Sequence, residues 1–315
     1  MPGNKQRAKM EPYRFEFHAL GSDCSLQLFA PTTALARDAA VAAEREVARI
    51  ETRYSRYRPD SELSRINAAA MNGGSVTVDA ETAGLIDYAY ACYRKSDGLF
   101  DITSGVLRTV WNFASGPPPR PDAVAALLPR IGLDKIEWDN PRLTFATAGM
   151  ELDFGGIGKE YAADRAAQIC AAAGICHGLV DLGGDIRLLG PHPDGTPWKI
   201  GIRHPRRPET PMSAVDLVSG AIATSGDYER FMEVAGRRYC HILNPRTGWP
   251  VRELRSASVI GPDCLVAGTL ATIAMLKGRE GPDWLRALGV RHVVMDDDGG
   301  IAGTESPMRS ATRSC

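Results

Sequence analysis

The residues best suited to chemistry lie in one stretch, 151–164, which reads ELDFGGIGKEYAAD. Its glycine-rich turn, 155–158, joins a short apolar strand to a predicted helix, and a helix start presents unpaired N–H donors with a partial positive charge. Lys159 adds a full charge, so the stretch predicts a site for phosphate or pyrophosphate. Asp153 and Asp164 could hold a hydroxyl, an amide or a metal. Such a turn is more often only a tight connection, and both interpretations stay open.

Two further segments carry polar groups at the ends of predicted strands. His241 stands where a general base could face a cleft, although a hydrogen-bonded structural histidine fits the pattern equally well. Thr224 and Ser225 could donate to a phosphate, and a simple turn explains them somewhat better. Cys240 is discounted as a nucleophile, because neighbouring residues of a strand point to opposite faces. The chain contains no Gly-x-Ser-x-Gly, His-Glu-x-x-His, Walker loop or paired-cysteine zinc spacing, so the common hydrolase and zinc sites lack support.

Size and charge narrow the possible partners. The chain has 315 residues, 44% of them hydrophobic, which is enough to bury a core in one large domain or two small ones. Its 37 basic and 38 acidic residues give a formal net charge of −1, with no long basic run. Nothing therefore indicates binding to nucleic acid or to an anionic membrane, and a small molecule or a protein is the expected partner.

The cysteines and the N-terminus predict a cytoplasmic location. Seven cysteines form an odd set without paired metal-binding spacing, which fits reduced thiols. The first ten residues are polar and basic with no apolar segment behind them, so the sequence predicts no secretory leader. No run approaches the roughly 18 apolar residues of a membrane span.

The elements that must position these residues alternate irregularly along the chain. Helical spacing is predicted over residues 34–53, 80–96, 162–173 and 267–276, with short strands between and after them. Several consecutive strands look like hairpins, which favours a single α+β domain with mixed or antiparallel sheets over a doubly wound fold. We expect this domain to span residues 13–304, after a disordered lead at 1–12 and before a flexible tail at 305–315.

Seven short motifs follow one another along the chain. They are Leu20-Gly-Ser22, Tyr57-Arg-Pro-Asp-Ser-Glu-Leu-Ser-Arg-Ile-Asn67, Gly98-Leu-Phe-Asp-Ile-Thr103, Asp153-Phe-Gly-Gly-Ile-Gly-Lys159, Asp181-Leu-Gly-Gly-Asp185, Thr224-Ser-Gly-Asp-Tyr228 and His241-Ile-Leu-Asn-Pro-Arg-Thr-Gly248. In this order they resemble the ApbE-type FAD:protein FMN transferases. The resemblance covers about residues 18–300, and seven ordered motifs are far more specific than any one of them.

The resemblance implies magnesium-dependent transfer of FMN from FAD onto a Ser or Thr hydroxyl of an acceptor protein, with release of AMP, by an ApbE-like α+β domain. The residues similar to the family's FAD contacts are Leu20, Tyr57, Leu99, Phe100, Asp101, Asp153, Lys159 and Ile242, with Asn67 near the flavin. Tyr57 and Phe100 could stack on flat rings, and Lys159 could meet the pyrophosphate. Gly156 would offer its carbonyl and Thr272 its hydroxyl to magnesium, and His241 would take the proton from the acceptor hydroxyl.

One departure from the family concerns the metal. Relatives usually carry Ala-Asp-x-x-x-Thr near the C-terminus, with the aspartate as a magnesium ligand, whereas this chain has Gly268 there. Magnesium is held poorly by carbonyls and hydroxyls alone, so either another carboxylate replaces the lost one or the metal binds weakly. Glu160, where many relatives have glycine, could reach the room that Gly268 leaves, or could be a helix-start acid favoured by the dipole. Asp263 is the other candidate.

The missing aspartate keeps two other functions open. A flavin-binding protein that has lost transfer would serve as an FAD carrier or scaffold. An FAD pyrophosphatase would use water as the acceptor and release FMN and AMP. Gly268 favours the carrier, whereas His241 together with Thr272 opposes it.

Overall fold

The structure, a computed structural model, describes residues 9–114 and 116–305. Its first strand begins at Glu11, two residues before the predicted start of the domain. Residues 1–8 of the predicted lead lie outside the described residues, and so does all of the predicted tail except Glu305.

The described residues contain the following strands and α-helices. The strands are β1 (Glu11–Ala19), β2 (Ser22–Ala30), β3 (Ser75–Thr77), β4 (Ile136–Asp139), β5 (Arg142–Phe145), β6 (Gly178–Leu182), β7 (Asp185–Gly190), β8 (Trp198–His204), β9 (Arg207–Leu217), β10 (Ala221–Gly226), β11 (Phe231–Val234), β12 (Arg237–Cys240), β13 (Leu254–Gly261), β14 (Arg291–Asp296) and β15 (Ile301–Gly303). The helices are α1 (Thr33–Tyr54), α2 (Glu62–Met71), α3 (Ala80–Lys95), α4 (Pro121–Ala125), α5 (Gly158–Ala172), α6 (Cys264–Lys277) and α7 (Gly281–Ala287).

Eight of the strands form one antiparallel sheet. Their order is β1-β2-β6-β7-β10-β13-β14-β15, and each neighbouring pair is antiparallel. Smaller sheets are formed by β3-β5-β4, β8-β9 and β11-β12. Antiparallel strands and helices are thus mixed along one chain, and the predicted α+β class is confirmed.

Two alanine-rich helices, α1 and α5, pack against each other and against the sheet. Their buried alanines recur at helical spacing: Ala36, Ala39, Ala40, Ala43, Ala162, Ala163, Ala166 and Ala167. Side chains this small allow the two helices to approach closely. The packing holds the first turn of α5, which carries Lys159 and Glu160, against the sheet.

The opposite face of the sheet is covered by the β8–β9 hairpin. Trp198, Ile200 and Ile202 alternate as buried residues along β8, and they pack against Leu188 and Ile222 of the sheet. The sequence predicts β8 but not its partner β9. The first half of β9 is exposed, charged and rich in proline, so only its second half carries a pattern of burial.

The predicted helices are present, with ends that differ by up to one turn. α5 begins at Gly158 rather than at residue 162, which places Lys159 and Glu160 in its first turn. α6 begins at Cys264 rather than at 267, because Asp263 caps it by accepting from the N–H of Val266 at 2.8 Å. In residues 9–114 and 116–305, no helix combines the length and the apolar composition that crossing a bilayer requires.

Candidate functional site

The start of α5 presents backbone donors that no side chain caps. Ile157 stands at the cap position without a side-chain hydrogen bond, and Gly158 opens the helix. Asp153 folds back over the preceding turn, where its Oδ1 accepts from the N–H of Gly155 at 2.9 Å and its Oδ2 pairs with Arg56. The predicted helix start is therefore confirmed, with its positive end open to an anion.

Lys159 lies beside this helix start and is held by a buried carboxylate. Its Nζ is 2.9 Å from Oδ2 of Asp185, a residue only 1% exposed, and 3.4 Å from the carbonyl of Gly183. Oδ1 of Asp185 accepts from the N–H of Thr224 at 3.2 Å. Burial lowers the pKa of Lys159, but the charges of Asp185 and Glu160 outweigh it, so the pKa lies above its ordinary value and the ammonium persists.

His241 follows directly after β12, and its side chain reaches solvent. Its Nδ1 is 3.2 Å from the carbonyl oxygen of Arg230, which can only accept, so Nδ1 donates and Nε2 is the basic nitrogen. Desolvation by neighbouring protein atoms, followed by the charges of Arg230, Lys159 and Arg56, holds the pKa of His241 below its ordinary value. The imidazole is therefore neutral near pH 7. Cys240 next to it is 1% exposed, as its opposite strand face predicts.

The β1–β2 turn brings Leu20 to the segment that precedes His241. Leu20 and Gly21 both have positive φ angles, 56° and 68°, and a Cβ at Gly21 would lie 3.1 Å from Nη2 of Arg230. Among the described residues, no carboxylate lies within ion-pair distance of Arg230. Arg230 thus offers a cation at the site that has no carboxylate partner among the described residues. The sequence did not predict this role, because the only indication in the sequence is that Arg230 follows Tyr228 and Glu229.

Tyr57 is 74% exposed and offers a ring that no other segment covers. The guanidinium of Arg56 lies 5.2 Å from the ring centroid, donates to the Tyr57 hydroxyl at 3.1 Å and pairs with Asp153. Arg56 therefore links the exposed ring to the turn before α5. Sequence reasoning also missed Arg56, since 97 residues separate it from Asp153.

Phe100, which the sequence predicts as a ring that could stack on flat rings, is buried in this structure. It is 4% exposed, and its ring carbons would lie 3.3 Å from a Cβ at Gly156, so the ring packs beneath the turn as part of the core. Asp101 is also buried and accepts from Thr103 and from the N–H of Leu133. Leu99 and Ile242 share one apolar cluster. In this structure the side chains of Leu99, Phe100, Asp101 and Ile242 pack beneath the site. Any contact between them and FAD stays a prediction.

Asn67 is tied to the strand before the glycine turn. Its Nδ2 donates to the carbonyl of Leu152 at 2.9 Å, and its Oδ1 accepts from the N–H of Leu152 at 2.7 Å. The side chain therefore positions residues 151–153, and the predicted place near the flavin stays untested.

Asn67→Ala should lower the free energy of unfolding by about 1–3 kcal/mol, because two buried backbone groups of Leu152 lose their partners. Its FAD affinity, measured on folded protein, should stay unchanged. Urea denaturation and an FAD titration would measure the two effects separately. Asn72→Ala is the matched control, since Asn72 makes one exposed hydrogen bond within its own helix end. A loss of FAD affinity without a loss of stability would instead support a direct flavin contact.

Glu160 and Gly268 face each other between α5 and α6. A Cβ at Gly268 would lie 2.5 Å from Cγ of Glu160, and Oε2 of Glu160 is buried without a hydrogen-bond partner among the described residues. Burial raises the pKa of Glu160, and the charge of Asp185 adds to this effect while Lys159 opposes it. Thr272, one turn beyond Gly268, has its Oγ1 2.7 Å from Oγ of Ser225.

Two of the other carboxylates considered as metal ligands, Asp164 and Asp263, are engaged in the fold. Asp263 caps α6 through the N–H of Val266. Asp164 accepts from the N–H groups of Cys264 and Leu265, each at 2.9 Å. Asp263 is therefore not a suitable replacement ligand, because turning toward the site would uncap the helix.

Two surface hollows lie apart from these residues. One of about 420 Å³ is lined by four charged residues and a tyrosine that bond to one another: Glu46, Arg49, Glu81, Arg165 and Tyr161. The other, of about 330 Å³, lies beside Phe29 and His192. Neither is lined by a predicted site residue. An exposed acidic loop, Asp296 to Asp298, also lies elsewhere and forms no site by itself.

Comparison with known proteins gives consistent matches. The profile of the ApbE family matches residues 20–294. The FAD:protein FMN transferase of Vibrio cholerae is 32% identical over 245 residues, 75% of this chain and 72% of that protein. The FAD:protein FMN transferase of Rhodobacter capsulatus is 32% identical over 299 residues, 91% of this chain and 56% of that protein. The crystal structure of an ApbE protein from Thermotoga maritima superposes with a TM-score of 0.86 at 32% identity, covering 94% of this chain and 97% of that one.

Proposed function

The chain belongs to the ApbE family, and from that premise we propose that it is an FAD:protein FMN transferase, which moves FMN from FAD onto a Ser or Thr hydroxyl of an acceptor protein and releases AMP. One observation carries the proposal. The open helix start that carries Lys159 is linked through Asp153 and Arg56 to the exposed ring of Tyr57, and the charges of Lys159 and Arg56 both act on the neutral imidazole of His241. These groups suit a pyrophosphate, a flat ring and a hydroxyl proton.

The chain's own residues supply positioning and proton transfer. Lys159 and the uncapped N–H groups of α5 would hold the negative phosphates, with the unpaired Arg230 beside them. Nε2 of His241 would take the proton from the acceptor hydroxyl as its oxygen bonds to the phosphorus of FMN. The bond between the two phosphates breaks at the same centre, and AMP leaves.

The residues present fit a magnesium ion. A buried carboxylate oxygen of Glu160 without a partner, together with the hydroxyl of Thr272, offers the hard oxygen ligands that this ion prefers. We propose that Glu160 and Thr272, with the carbonyl of Gly156, would hold it. When bound, it would neutralise charge that develops on the phosphate oxygens.

The test is incubation of the purified protein with FAD and magnesium, with and without a candidate acceptor protein that carries Ser or Thr. We expect AMP together with a fluorescent acceptor band on a denaturing gel. AMP with free FMN and no labelled acceptor would instead indicate a pyrophosphatase. FAD binding with no AMP in either reaction would indicate a carrier and would reject transfer.

A cytoplasmic location is part of the proposal and rests on the thiols. The six described cysteines are all free, which suits a reducing compartment. Partners from the same compartment, FAD and a protein with an accessible hydroxyl, are expected. No feature of the balanced charge favours nucleic acid.

A further inference from the structure

The side chain of Glu160 fills the space beside Gly268 so closely that position 268 tolerates only glycine. A Cβ at position 268 would lie 2.5 Å from Cγ, 2.7 Å from Oε1 and 3.0 Å from Cδ of Glu160. Cβ atoms essentially never approach heavy atoms below about 3.0 Å in real structures, and the neighbour here is the middle of a buried side chain rather than a flexible end. The glutamate on α5 and the glycine on α6 therefore depend on each other.

Glu160 differs from the acidic residues around it, because one of its carboxylate oxygens has no hydrogen-bond partner among the described residues. It is 7% exposed, and its Oε2 has no hydrogen-bond partner. The neighbouring Asp185 is paired with Lys159, and Asp164 accepts two backbone N–H groups and lies 3.3 Å from Arg187. A buried carboxylate oxygen without a partner is costly, and a bound cation would satisfy it.

Thr272 offers a second hard ligand on the helix that Glu160 contacts. Gly268 and Thr272 are separated by four residues on α6 and so share one face of the helix, the face that Glu160 contacts. Thr272 Oγ1 shares a hydrogen bond with Ser225, which leaves a lone pair of the hydroxyl available. A carboxylate and a hydroxyl from two helices suit a hard divalent cation.

We propose that Glu160 supplies, from α5, the carboxylate that binds a divalent cation at this site, and that the cation joins α5 to Thr272 on α6. This inference rests on the proposed function and deepens it, since the cation would lie beside the phosphates that Lys159 meets. The ligand is assigned by its chemistry, a hard divalent ion such as magnesium or manganese.

The first test is Mn²⁺ binding followed by electron paramagnetic resonance, on the free protein and again with saturating FAD. Glu160→Gln keeps the side-chain volume and removes the charge, and we expect it to weaken Mn²⁺ binding by at least about tenfold, the lower end of what altering even an outer partner of a metal costs. Asp263→Asn is the matched control, because asparagine also caps helices; its Mn²⁺ affinity should equal that of the parent. Equal affinity in Glu160→Gln and the parent would overturn the inference, and so would a parent that binds no Mn²⁺.

Measuring Mn²⁺ binding on the free protein, before FAD is added, distinguishes a failure of this inference from a failure of the proposed function. Loss of Mn²⁺ binding in Glu160→Gln, in a protein that also fails to bind FAD, supports the ligand role while rejecting transfer. Normal FAD binding and AMP release with unchanged Mn²⁺ affinity in Glu160→Gln supports transfer while rejecting Glu160 as a ligand.

The second test moves the carboxylate from position 160 on α5 to position 268 on α6. Gly268→Asp alone should lower the melting temperature, because its Cβ meets Glu160. Glutamine at 160 would retain this clash, so the compensating background is Glu160→Ala. We expect Glu160→Ala/Gly268→Asp to melt higher than Gly268→Asp and to bind Mn²⁺ more tightly than Glu160→Ala. A folded double variant that binds Mn²⁺ no better than Glu160→Ala would show that a carboxylate at position 268 does not replace the one at position 160. If the double variant does not fold, the Mn²⁺ affinity of Glu160→Gln decides.

Discussion

Replacing His241 with alanine is expected to slow FMN transfer by about 10²–10⁴-fold while FAD affinity stays unchanged. The reason lies in the orientation of the ring, since Nδ1 donates to the carbonyl of Arg230 and leaves Nε2 as the base. Single-turnover labelling of an acceptor protein, compared with an FAD titration, would separate the rate from the binding. His177→Ala is the control. The ring of His177 lies at the start of β6, away from the site, and is hydrogen-bonded to the carbonyl of Pro191.

The pH dependence gives the same assignment a second readout. The pKa of His241 lies below its ordinary value, so the ring loses its proton at lower pH than a free histidine does. Transfer by the parent should therefore rise with pH only at acidic pH and be flat from about pH 7 upward. The Ala variant should lose the acidic step. A parental rate in His241→Ala, or partial activity that added imidazole cannot raise, would count against a general base here.

Lys159→Ala is expected to lower the free energy of unfolding by about 3–5 kcal/mol, the usual cost of removing one partner from a buried ion pair. Asp185 is 1% exposed, and the backbone N–H of Thr224 would be its only remaining close partner among those described. Urea denaturation monitored by circular dichroism would measure the loss. FAD affinity should also fall, because the phosphates lose a charge-assisted contact.

The double variant Lys159→Ala/Asp185→Asn distinguishes the two effects. Asparagine at position 185 carries no charge that would be buried without a partner, and it can still accept from the N–H of Thr224. Much of the lost stability should therefore return. FAD affinity should remain low, since the ammonium is still missing. If the double variant is no more stable than Lys159→Ala, the buried pair is not the source of the loss; if Lys159→Ala binds FAD like the parent, Lys159 does not meet the phosphates.

The sequence predicts where the backbone of this site passes better than it predicts which side chains line the site. The glycine turn before Lys159 and the α+β class followed from local patterns, because helix starts and strand alternation are written in neighbouring residues. The burial of Phe100 could not be predicted, since a motif fixes where the backbone passes but not which way a side chain turns. Arg56 and Arg230 could not be found, because arginine is common and their meaning depends on contacts across the fold.

The same distinction applies to the candidate metal ligands. Its place directly after Lys159 put Glu160 near the predicted site, and only three-dimensional packing reveals that it occupies the space beside Gly268. Asp263 was the other candidate in sequence, yet its carboxylate caps α6. Capping and ligation use the same residue types, so composition alone does not separate them.

The order of the main sheet has a consequence for synthesis of the protein on the ribosome. β2 takes its neighbour from β6, and the turn at Leu20 belongs to the proposed site that also includes Thr272, about 250 residues later. At roughly 5–20 residues per second, that interval lasts on the order of ten to fifty seconds. The β1–β2 hairpin has an uncovered edge until β6, which begins at Gly178, has been made, and no nascent chain would have the complete proposed FAD site until Thr272 has been made. A truncated product should thus accumulate as a chaperone client rather than as a competitor for flavin.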